Sequence, residues 1–408
     1  MRVLIVIPFY RPASVYGGPI VVAEEQARRL VAGGHAVEVA TTDLLDSAHR
    51  VPAPHERVLE GVRVRYFRNL SHRLGHAQSA CITPGLYRWL SRNTASFDVV
   101  HVHDYYTYQT SHATRAAARA GVACLVQPHG SLPPIPELGR QLRRRAFNAV
   151  LGRRIWAETT LMLALCPAEE RELVACGVPS GKIRILPNGI EPGAPVTAAE
   201  RAAARRELGW GPQERVLLFL GRLHHKKGLL ESLAAFRILV HDEPAVWRWA
   251  VAGPDFGFGG EWHAAAARSE CGERIAGLGP VEGLRKRMLL AGADAFILCS
   301  RHDTFPVAPL EALAHGLPVV LSPQVGFGEW LHPPVGWVVP GADAAAIAGA
   351  CRDAAEARRE DFASTQDACH AWIDEHVAWP RIMARLLEHY AEARTLARRA
   401  GPPSRRRG

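Results

Sequence analysis

The sequence predicts an α/β protein made of two domains, each with a parallel β-sheet wrapped by helices. β-Branched runs alternate with amphipathic helical patterns through the first half, beginning with residues 3–7, and again through the second half, beginning with residues 216–220. Such repeated strand, helix, strand order is typical of a parallel sheet. The 408 residues also exceed one comfortable core and suit two domains of about 100 to 200 residues each.

Prolines and glycines mark the boundary between the domains. Residues 1–192 are predicted to form the first domain and residues 193–376 the second, with a hinge near Asn188. Residues 377–398 are predicted to form a C-terminal helix that returns to the first domain, because apolar side chains follow Pro380 at helical spacing. Residues 399–408 are predicted to be a basic tail.

Composition restricts the class of protein. The longest apolar runs are far shorter than the ~20 residues that cross a bilayer, and the first is stopped by Pro8, so we expect a cytoplasmic protein. The eight cysteines form no C-x-x-C pair, which argues against a disulfide framework or a zinc site. The net charge of +9 is carried mainly by arginine, and no nucleic-acid-binding motif accompanies it, so no nucleic acid partner is expected.

A basic loop follows the predicted strand at residues 216–220. It runs Gly-Arg-Leu-His-His-Lys-Lys-Gly over residues 221–228 and leads into a helical pattern. Ligands of parallel sheets bind beyond the carboxyl ends of the strands. A pyrophosphate needs positive charge and a close backbone approach, which Arg222, Lys227 and the two flanking glycines supply. The alternative interpretation is a solvated basic turn.

A second loop follows the predicted strand at residues 295–299 and opens a helix. Asp303 lies in this loop and Glu311 in the helix, a placement that suits one carboxylate for a sugar and the other for a ribose diol. Backbone amides near Val307 and Ala308, at the helix N-terminus, are expected to face phosphate oxygens. The alternative is Asp303 as a helix cap and Glu311 as a surface charge.

Taken together, the two loops give the sequence a resemblance to family four of the retaining glycosyltransferases, over nearly the whole chain. That family has Gly-Arg-Leu-x-x-x-Lys-Gly, matched at residues 221–228, and a Glu-x7-Glu segment followed by Gly-Leu-Pro-Val-Val, matched at residues 316–320. Its other short motifs occur in the expected order: Gly17-Gly18, His129-Gly130, Pro187-Asn188-Gly189-Ile190, Ala252-Gly253-Pro254 and Ala378-Trp379. The resemblance implies the GT-B fold, in which two Rossmann-like domains have a cleft between them and a C-terminal helix crosses back to the first.

The resemblance also implies roles for individual residues. Arg222 and Lys227 would neutralise the donor diphosphate and, with His129 near the transferred sugar, make up the catalytic set. Glu311 would hold the ribose hydroxyls, and the Gly18 amide would face phosphate. The whole implied donor-binding set comprises Gly18, Arg222, Lys227, Asp303, Phe305, Val307, Ala308 and Glu311. The family has glutamate where this chain has Asp303, one methylene shorter, so the motif leaves the identity of the donor sugar open.

The implied function is that of a retaining, metal-independent hexosyltransferase without a cofactor. It would move a sugar from GDP-mannose or a UDP-sugar to a glycan or lipid-linked acceptor in surface polysaccharide biosynthesis. No Asp-x-Asp motif is present to hold a divalent ion on the donor. Two alternatives remain: a non-catalytic relative that binds nucleotide sugar or glycan, and a GT-B epimerase or phosphorylase. A nicotinamide oxidoreductase is disfavoured, because no Gly-x-Gly-x-x-Gly follows the first strand.

Two further segments bear on the acceptor. His101 and His103, followed by Asp104, suggest a metal site by their alternation, but the resemblance favours an acceptor-side role for His103 and Asp104 and no metal. Residues 140–156, hereafter the arginine-rich segment, interleave apolar residues with Arg140, Arg143, Arg144, Arg145, Arg153 and Arg154. Such a basic amphipathic helix is suited to an anionic membrane surface, which would make the protein peripheral on the inner face of a membrane. The alternative is an ordinary helix packed on the first domain.

Overall fold

The computed structural model describes residues 1–13, 18–46, 48–71, 81–132, 138–340 and 343–400. The chain divides into two compact units. The first contains residues 1–188 and the C-terminal residues from Ile382 onward, and the second contains residues 189–381. Residues 401–408 of the predicted basic tail, and Gly17 of the Gly17-Gly18 motif, lie outside the described residues.

The first unit contains an eight-stranded sheet in the order β3-β4-β2-β1-β5-β6-β7-β8. Neighbouring strands are parallel except β3 and β4, which form an antiparallel hairpin. Every residue of the central strands β5 and β6 is buried, as expected for a parallel sheet covered on both faces. The strands are β1 Arg2–Val6, β2 Ala36–Thr42, β3 Glu56–Leu59, β4 Val62–Phe67, β5 Val99–His103, β6 Ala123–Gln127, β7 Leu161–Ala164 and β8 Ile183–Ile185.

Helices connect these strands, and the helix Tyr108–Ala120 is capped at both ends. The Thr107 hydroxyl accepts a hydrogen bond from the Thr110 N–H at its start, and Gly121 ends the helix in the left-handed conformation. The α-helices that the structure describes between these strands are α1 Gly18–Ala32, α2 Pro84–Asn93, α3 Tyr108–Ala120, α4 Leu138–Phe147, α5 Arg153–Glu158 and α6 Pro167–Ala175. A π-helical turn, Asn148–Gly152, joins α4 to α5.

The second unit contains a six-stranded, fully parallel sheet in the order β11-β10-β9-β12-β13-β14. Its strands are β9 Arg215–Leu220, β10 Trp247–Ala252, β11 Ile275–Gly279, β12 Ala295–Leu298, β13 Val319–Leu321 and β14 Gly336–Val338. Its helices are α7 Ala198–Glu207, α8 Leu229–Asp242, α9 Gly259–Arg268, α10 Gly283–Gly292, α11 Val307–Ala314, α12 Ala344–Glu360 and α13 Phe362–His376. The alternating pattern of the sequence is therefore confirmed as two parallel-sheet α/β domains.

A buried ion-pair cluster anchors the start of this second sheet. The fully buried Asp294 accepts hydrogen bonds from Arg201 (2.6 Å), from Arg205 (3.0 Å) and from the Val216 N–H (2.8 Å). Two guanidinium groups and one backbone donor thus satisfy the carboxylate, as a buried charge requires. The cluster joins α7 to β9 and to the residue before β12.

The last helix, α14, spans Trp379–Ala400, so it begins and ends two residues later than the predicted residues 377–398. In the first unit, the Tyr390 hydroxyl lies 2.9 Å from Nδ1 of His101 on β5, and Arg394 donates to Asp98 at 3.0 Å. Tyr390 is fully buried, so this half of the helix covers the sheet rather than solvent. Across the described part of the chain, no helix combines the length and the apolar composition needed to cross a membrane.

Candidate active site

The two loops singled out from the sequence lie beside each other in the second unit. β9 is adjacent to β12, whereas the strand that follows β9 in the chain lies on its other side. The connections after β9 and β12 therefore leave in opposite directions and open a crevice at the carboxyl edge of the sheet. In open parallel sheets, such a switch point is where ligands bind.

Hydrogen bonds and close backbone packing hold the two loops together. The Arg301 N–H and the Ser300 hydroxyl both donate to the Lys226 carbonyl, at 2.8 and 2.9 Å. Gly228 has φ 66°, and a Cβ atom added there would lie 1.7 Å from the Cys299 carbonyl oxygen. Only glycine fits this position, which explains why the basic loop ends on that residue.

Lys227 and Asp303 face each other across the loops as an ion pair. Both side chains are mostly buried, with 17% and 19% of their surface exposed. The backbone of Asp303 is fixed by hydrogen bonds with Gln324 (3.1 Å) and Gly326 (3.0 Å), so the carboxylate has a defined position. An anion that binds Lys227 must share the ammonium group with Asp303 or displace the carboxylate from it.

Arg222 is the exposed cation of the basic loop. Its guanidinium carbon lies 4.9 Å from the ring centroid of Phe256, and it makes no ion pair with any described residue. Gly221 precedes it with φ 156°, and a Cβ atom at Gly253 would lie 1.8 Å from the Gly221 carbonyl oxygen. The two glycines therefore let the loops after β9 and β10 touch, and Arg222 projects beside that contact.

The N-terminus of α11 is open in the structure. Its N-cap residue is Pro306, and no side chain caps the first turn. Val307, the first residue, is 42% exposed, and Ala308 follows it in the same turn. The uncapped N–H groups and the helix dipole favour an anion at this point. Phe305, only 6% exposed, packs against Phe327 at a centroid distance of 4.9 Å and thereby supports the turn.

Glu311 pairs with a lysine that the sequence did not single out. Nζ of Lys286 on α10 lies 2.5 Å from a Glu311 carboxylate oxygen, and both side chains are about one third exposed at 31% and 27%. The chain has only four lysines, and three of them, Lys226, Lys227 and Lys286, belong to this edge of the second sheet or to the helix beside it. Their scarcity was the one signal that could have identified Lys286.

In the first unit, three histidines lie in contact near the carboxyl ends of β5 and β6. Nδ1 of His103 lies 2.8 Å from Nε2 of His129, and the His101 and His103 rings are 4.3 Å apart. Burial lowers the pKa of His101 and of His129 to about 3 and the pKa of His103 to well below its usual range. All three imidazoles are therefore neutral near pH 7.

His103 is fully buried, and its bond with His129 makes it a neighbour of the candidate catalytic residue. Asp104 follows in the left-handed conformation (φ 77°), and its carboxylate accepts from the Tyr105 N–H at 2.6 Å. Burial raises the pKa of Asp104. Gly18 is the exposed first residue of α1, and residues 14–17 before it lie outside the described part of the chain.

The arginine-rich segment presents two different faces. Phe147 and Leu151 pack against the core of the first unit, as the ordinary-helix alternative predicts. Leu142 and Val150, in contrast, are 67% and 77% exposed. An apolar surface therefore remains on the outer side of this segment.

The arginines of the segment also differ in their surroundings. Arg144 lies over the Tyr106 ring at 4.6 Å, and Arg154 donates to Glu158 at 2.8 Å. Arg143, Arg145 and Arg153 are exposed as well, and each lies within three residues of Leu142 or Val150 in the sequence. The side chain of Arg140 lies outside the described residues.

Comparison with known proteins matches each half of the chain to a protein family. Residues 17–189 match the family model for the glycosyl transferase 4-like domain, and residues 214–357 match the model for glycosyl transferases group 1. A D-inositol 3-phosphate glycosyltransferase of Stackebrandtia nassauensis is 29% identical over 323 residues, which cover 75% of this chain and 71% of that protein. A GDP-mannose:cellobiosyl-diphosphopolyprenol alpha-mannosyltransferase of Xanthomonas oryzae is 23% identical over 312 residues, which cover 73% of this chain and 75% of that protein.

The fold has solved counterparts. HepE of Anabaena, crystallised in complex with UDP, superposes with a TM-score of 0.74 at 19% identity, over 96% of this chain and 100% of that chain. This likeness confirms the GT-B fold that the sequence predicts. With the two family models and the paired loops at the edge of the second sheet, the chain belongs to the glycosyltransferases of GT-B fold, with a 4-like domain followed by a group 1 domain.

Proposed function

We propose that this glycosyltransferase is a retaining, metal-independent hexosyltransferase that uses a nucleoside diphosphate sugar as donor. The observation that carries the proposal is the set of charged groups on the loops after β9 and β12 and on α10 and α11, together with the open N-terminus of α11. Arg222 is exposed and unpaired among the described residues, while Lys227 and Lys286 are each held by a carboxylate. Cations beside free backbone N–H groups are suited to a diphosphate, and carboxylates beside them are suited to sugar hydroxyls.

In the proposed reaction, the bond from the anomeric carbon to the diphosphate breaks and a bond from the acceptor oxygen to the same carbon forms. Arg222, Lys227 and the amides of Val307 and Ala308 stabilise the negative charge that develops on the leaving diphosphate. The acceptor proton passes to a phosphate oxygen of the donor on the face from which the diphosphate departs. Glu311 is proposed to hold the ribose hydroxyls, and the carboxylate of Asp303 is proposed to bind a donor-sugar hydroxyl.

His129 is proposed to act on the transferred sugar. A neutral imidazole is suited to exchange hydrogen bonds with a sugar hydroxyl, and burial keeps the pKa of His129 far below neutrality at about 3. The Gly18 amide is proposed to face phosphate. Asp104 is proposed as an acceptor-side residue, and His103, which contacts His129, as its neighbour on that side.

The proposed donor is GDP-mannose or a UDP-sugar, and the proposed acceptor is a glycan or a lipid-linked sugar of a surface polysaccharide. The name of the Xanthomonas relative includes both a GDP-mannose donor and a diphosphopolyprenol acceptor, and HepE was crystallised with UDP. These relatives support both nucleotides for this chain and leave the choice to experiment.

We also propose that the arginine-rich segment lies on an anionic membrane surface, where a lipid-linked acceptor would be found. Leu142 and Val150 offer exposed apolar side chains, and the exposed Arg143, Arg145 and Arg153 each lie within three residues of one of them in the sequence. Apolar insertion combined with attraction to anionic headgroups is how interfacial helices bind.

Thermal denaturation with a panel of UDP, GDP, CDP and ADP sugars tests the donor site. A saturating donor at about 100 times its Kd adds about 2.7 kcal/mol, which corresponds to a rise in Tm of roughly 5 °C or more for a unit of this size. Arg222→Ala and Glu311→Ala should abolish the shift. Arg237→Ala is the matched control, because Arg237 is an exposed arginine of α8 whose acidic neighbour, Glu270, lies 3.9 Å away. A shift that survives both site substitutions contradicts the assigned site.

Product analysis tests the chemistry. The donor that stabilises the protein is supplied with glycan and polyprenyl-diphosphate acceptors in the presence of EDTA, and the anomeric configuration of the product is read by NMR. Retention of configuration without divalent metal supports the proposal. Donor binding without transfer to any acceptor favours the non-catalytic alternative, and donor turnover without an acceptor favours an epimerase or phosphorylase.

Vesicle sedimentation tests the membrane surface. Binding to phosphatidylglycerol vesicles but not to phosphatidylcholine vesicles is expected, with loss of binding in a Leu142→Ser, Val150→Ser double variant. Val58→Ser is the control, because Val58 is also exposed (68%) but lies on β3, outside the arginine-rich segment. Equal binding to both vesicle types, or unchanged binding by the double variant, contradicts the proposal.

A further inference from the structure

The turn that carries His129 has a strained backbone. β6 ends at Gln127, and two residues in succession, His129 (φ 55°) and Gly130 (φ 71°), then adopt the left-handed conformation. For a residue with a Cβ atom this conformation costs on the order of 1 kcal/mol or more, and it persists where the surroundings hold it. His129 therefore needs neighbours that fix its turn.

One such neighbour is Glu169, a residue that the sequence analysis did not select. Its side chain is fully buried, and its two carboxylate oxygens accept from two different backbone N–H groups. Oε1 lies 2.6 Å from the Gly130 N, and Oε2 lies 2.6 Å from the Leu165 N. Since Leu165 follows β7, a single carboxylate bridges the turns after two adjacent strands.

Helix capping explains only part of this arrangement. Glu169 is the third residue of α6, where an acidic side chain ordinarily accepts from N–H groups at the start of its own helix. Leu165 directly precedes the N-cap residue Cys166, so the bond with Leu165 resembles such a cap. The bond with Gly130 joins residues 39 positions apart and has no place in a cap.

The buried position of the Glu169 carboxylate is also energetically unfavourable when the group is charged. Among the described residues no lysine, arginine or histidine forms an ion pair with Glu169, and burial raises its pKa to about 7, with nearby Glu172 acting in the same direction. An uncompensated buried charge destabilises a fold. A carboxylate nevertheless supplies an acceptor for both N–H groups at once, which neither an amide nor an apolar side chain does.

The ring of His129 also has a supporting contact, which is separate from the contact on its backbone turn. Nδ1 of His103, on β5, lies 2.8 Å from Nε2 of His129, and the two rings are stacked with an interplanar angle of 15°. The imidazole is thus held through its ring from β5, and its backbone is held through Gly130 from α6. Removing either support leaves the other in place, so the contribution of Glu169 can be measured separately.

We propose that Glu169 is a positioning residue for His129, acting through the Gly130 N–H to fix the left-handed turn that presents the imidazole. This inference rests on the proposed function, because His129 acts on the transferred sugar only if the chain performs that reaction. Its structural part, the clamp on the turn, does not depend on the substrate.

Hydrogen exchange tests the clamp without any substrate. Peptides that contain residues 128–132 are followed by mass spectrometry at pD 8 in the wild type, in Glu169→Gln and in Glu170→Gln. Glu170 is the next residue on the same helix, and its variant removes the same charge. Glutamine offers one acceptor and turns an N–H donor toward the other backbone N–H, so amide exchange at Gly130 should be about tenfold faster in Glu169→Gln. Exchange equal to that of wild type and of Glu170→Gln would overturn the proposal.

Kinetics test the consequence for His129. Nucleoside diphosphate release is measured with UDP-glucose or GDP-mannose, whichever donor stabilises the protein. A positioning role predicts that kcat falls about tenfold or more in Glu169→Gln while the donor KM changes by less than about threefold. It further predicts no additional loss when Glu169→Gln is added to His129→Ala. Losses that multiply in the double variant, or a change confined to KM, would contradict it. If the wild type releases no nucleoside diphosphate from any donor, the proposed function fails while the exchange experiment still decides whether Glu169 fixes the turn.

Discussion

Arg222 and Lys227 are the two cations proposed to face the donor diphosphate, and Lys227 is the more buried of them. Replacing Lys227 by methionine removes its charge while keeping a side chain of similar length. Lys227 is only 17% exposed, so solvent screens its charge weakly, and its partner Asp303 is 19% exposed. The variant therefore makes two changes at once. It removes a cation proposed to stabilise the donor, and it leaves an unpaired carboxylate beside the position proposed for the phosphate oxygens.

Each change has an expected magnitude. Loss of one preorganised charge partner of a developing anion lowers kcat by about 10² to 10³, or about 2.7 to 4 kcal/mol. The unpaired Asp303 adds electrostatic repulsion toward the donor, for which we expect about one further factor of ten, or 1.4 kcal/mol. Lys227→Met should thus lose about 10³ to 10⁴ in kcat/KM, and a Lys227→Met, Asp303→Asn double variant should regain about tenfold.

The assay is nucleoside diphosphate release with the donor identified by thermal denaturation, analysed as a double-mutant cycle. Lys226→Met is the matched control, since it removes the same charge from the adjacent residue, which forms no ion pair with Asp303. Retention of kcat/KM within about fivefold in Lys227→Met would refute the reasoning, as would a double variant no better than the single one.

Three other predictions follow from ion pairs and buried charges. Lys286→Met should raise the donor KM about tenfold with little change in kcat, because it releases Glu311 from its 2.5 Å contact without touching the leaving group; steady-state kinetics check this. Asp294→Ala should destabilise the second unit by about 3 to 5 kcal/mol, seen as a lower urea midpoint, because the fully buried carboxylate leaves its guanidinium partners unpaired. The pKa of Glu169, raised from 4.5 to about 7, means that its protonated form favours folding. The stability of the wild type relative to Glu169→Gln should therefore be greatest below pH 4.5 and fall by about 3 kcal/mol as the pH rises through 7, measured by urea titration from pH 5 to 8.

The sequence predicted the two parallel sheets because a buried parallel strand has little freedom in composition. Strands such as β9 and β12 are almost wholly apolar, and the polar loops that follow them contrast with those runs. Since parallel strands present their carboxyl ends at one edge, adjacency of the two loops was predictable once both strands were recognised. The pairing of Lys227 with Asp303 was not, because an ion pair between residues 76 positions apart depends on register and on side-chain geometry.

Other features escaped prediction for related reasons. The hairpin of β3 and β4 carries charged residues on an exposed edge strand, so its pattern lacks the apolar run by which the other strands were found. Glu169 lies in the segment Pro-Ala-Glu-Glu-Arg-Glu, which has the composition of a solvated first helical turn. In the folded chain Glu169 is buried and accepts from the Gly130 N–H of the turn after β6. Only the tertiary structure distinguishes Glu169, which is fully buried, from its neighbour Glu170.

The charge pairing in the second unit bears on how a donor would be recognised. Lys227 with Asp303, and Lys286 with Glu311, each sum to zero charge, so neither pair attracts an approaching diphosphate at long range. Arg222 is exposed and has no such partner among the described residues, and the open N-terminus of α11 adds a partial positive charge. The first contact of a donor would therefore be with Arg222 and the helix, at a rate that falls with ionic strength. Lys227 would act later, as charge accumulates on the leaving group and the diphosphate competes more strongly than Asp303 for the ammonium group. Arg222 would thus govern the association rate of the donor, and Lys227 would govern the rate of the chemical step.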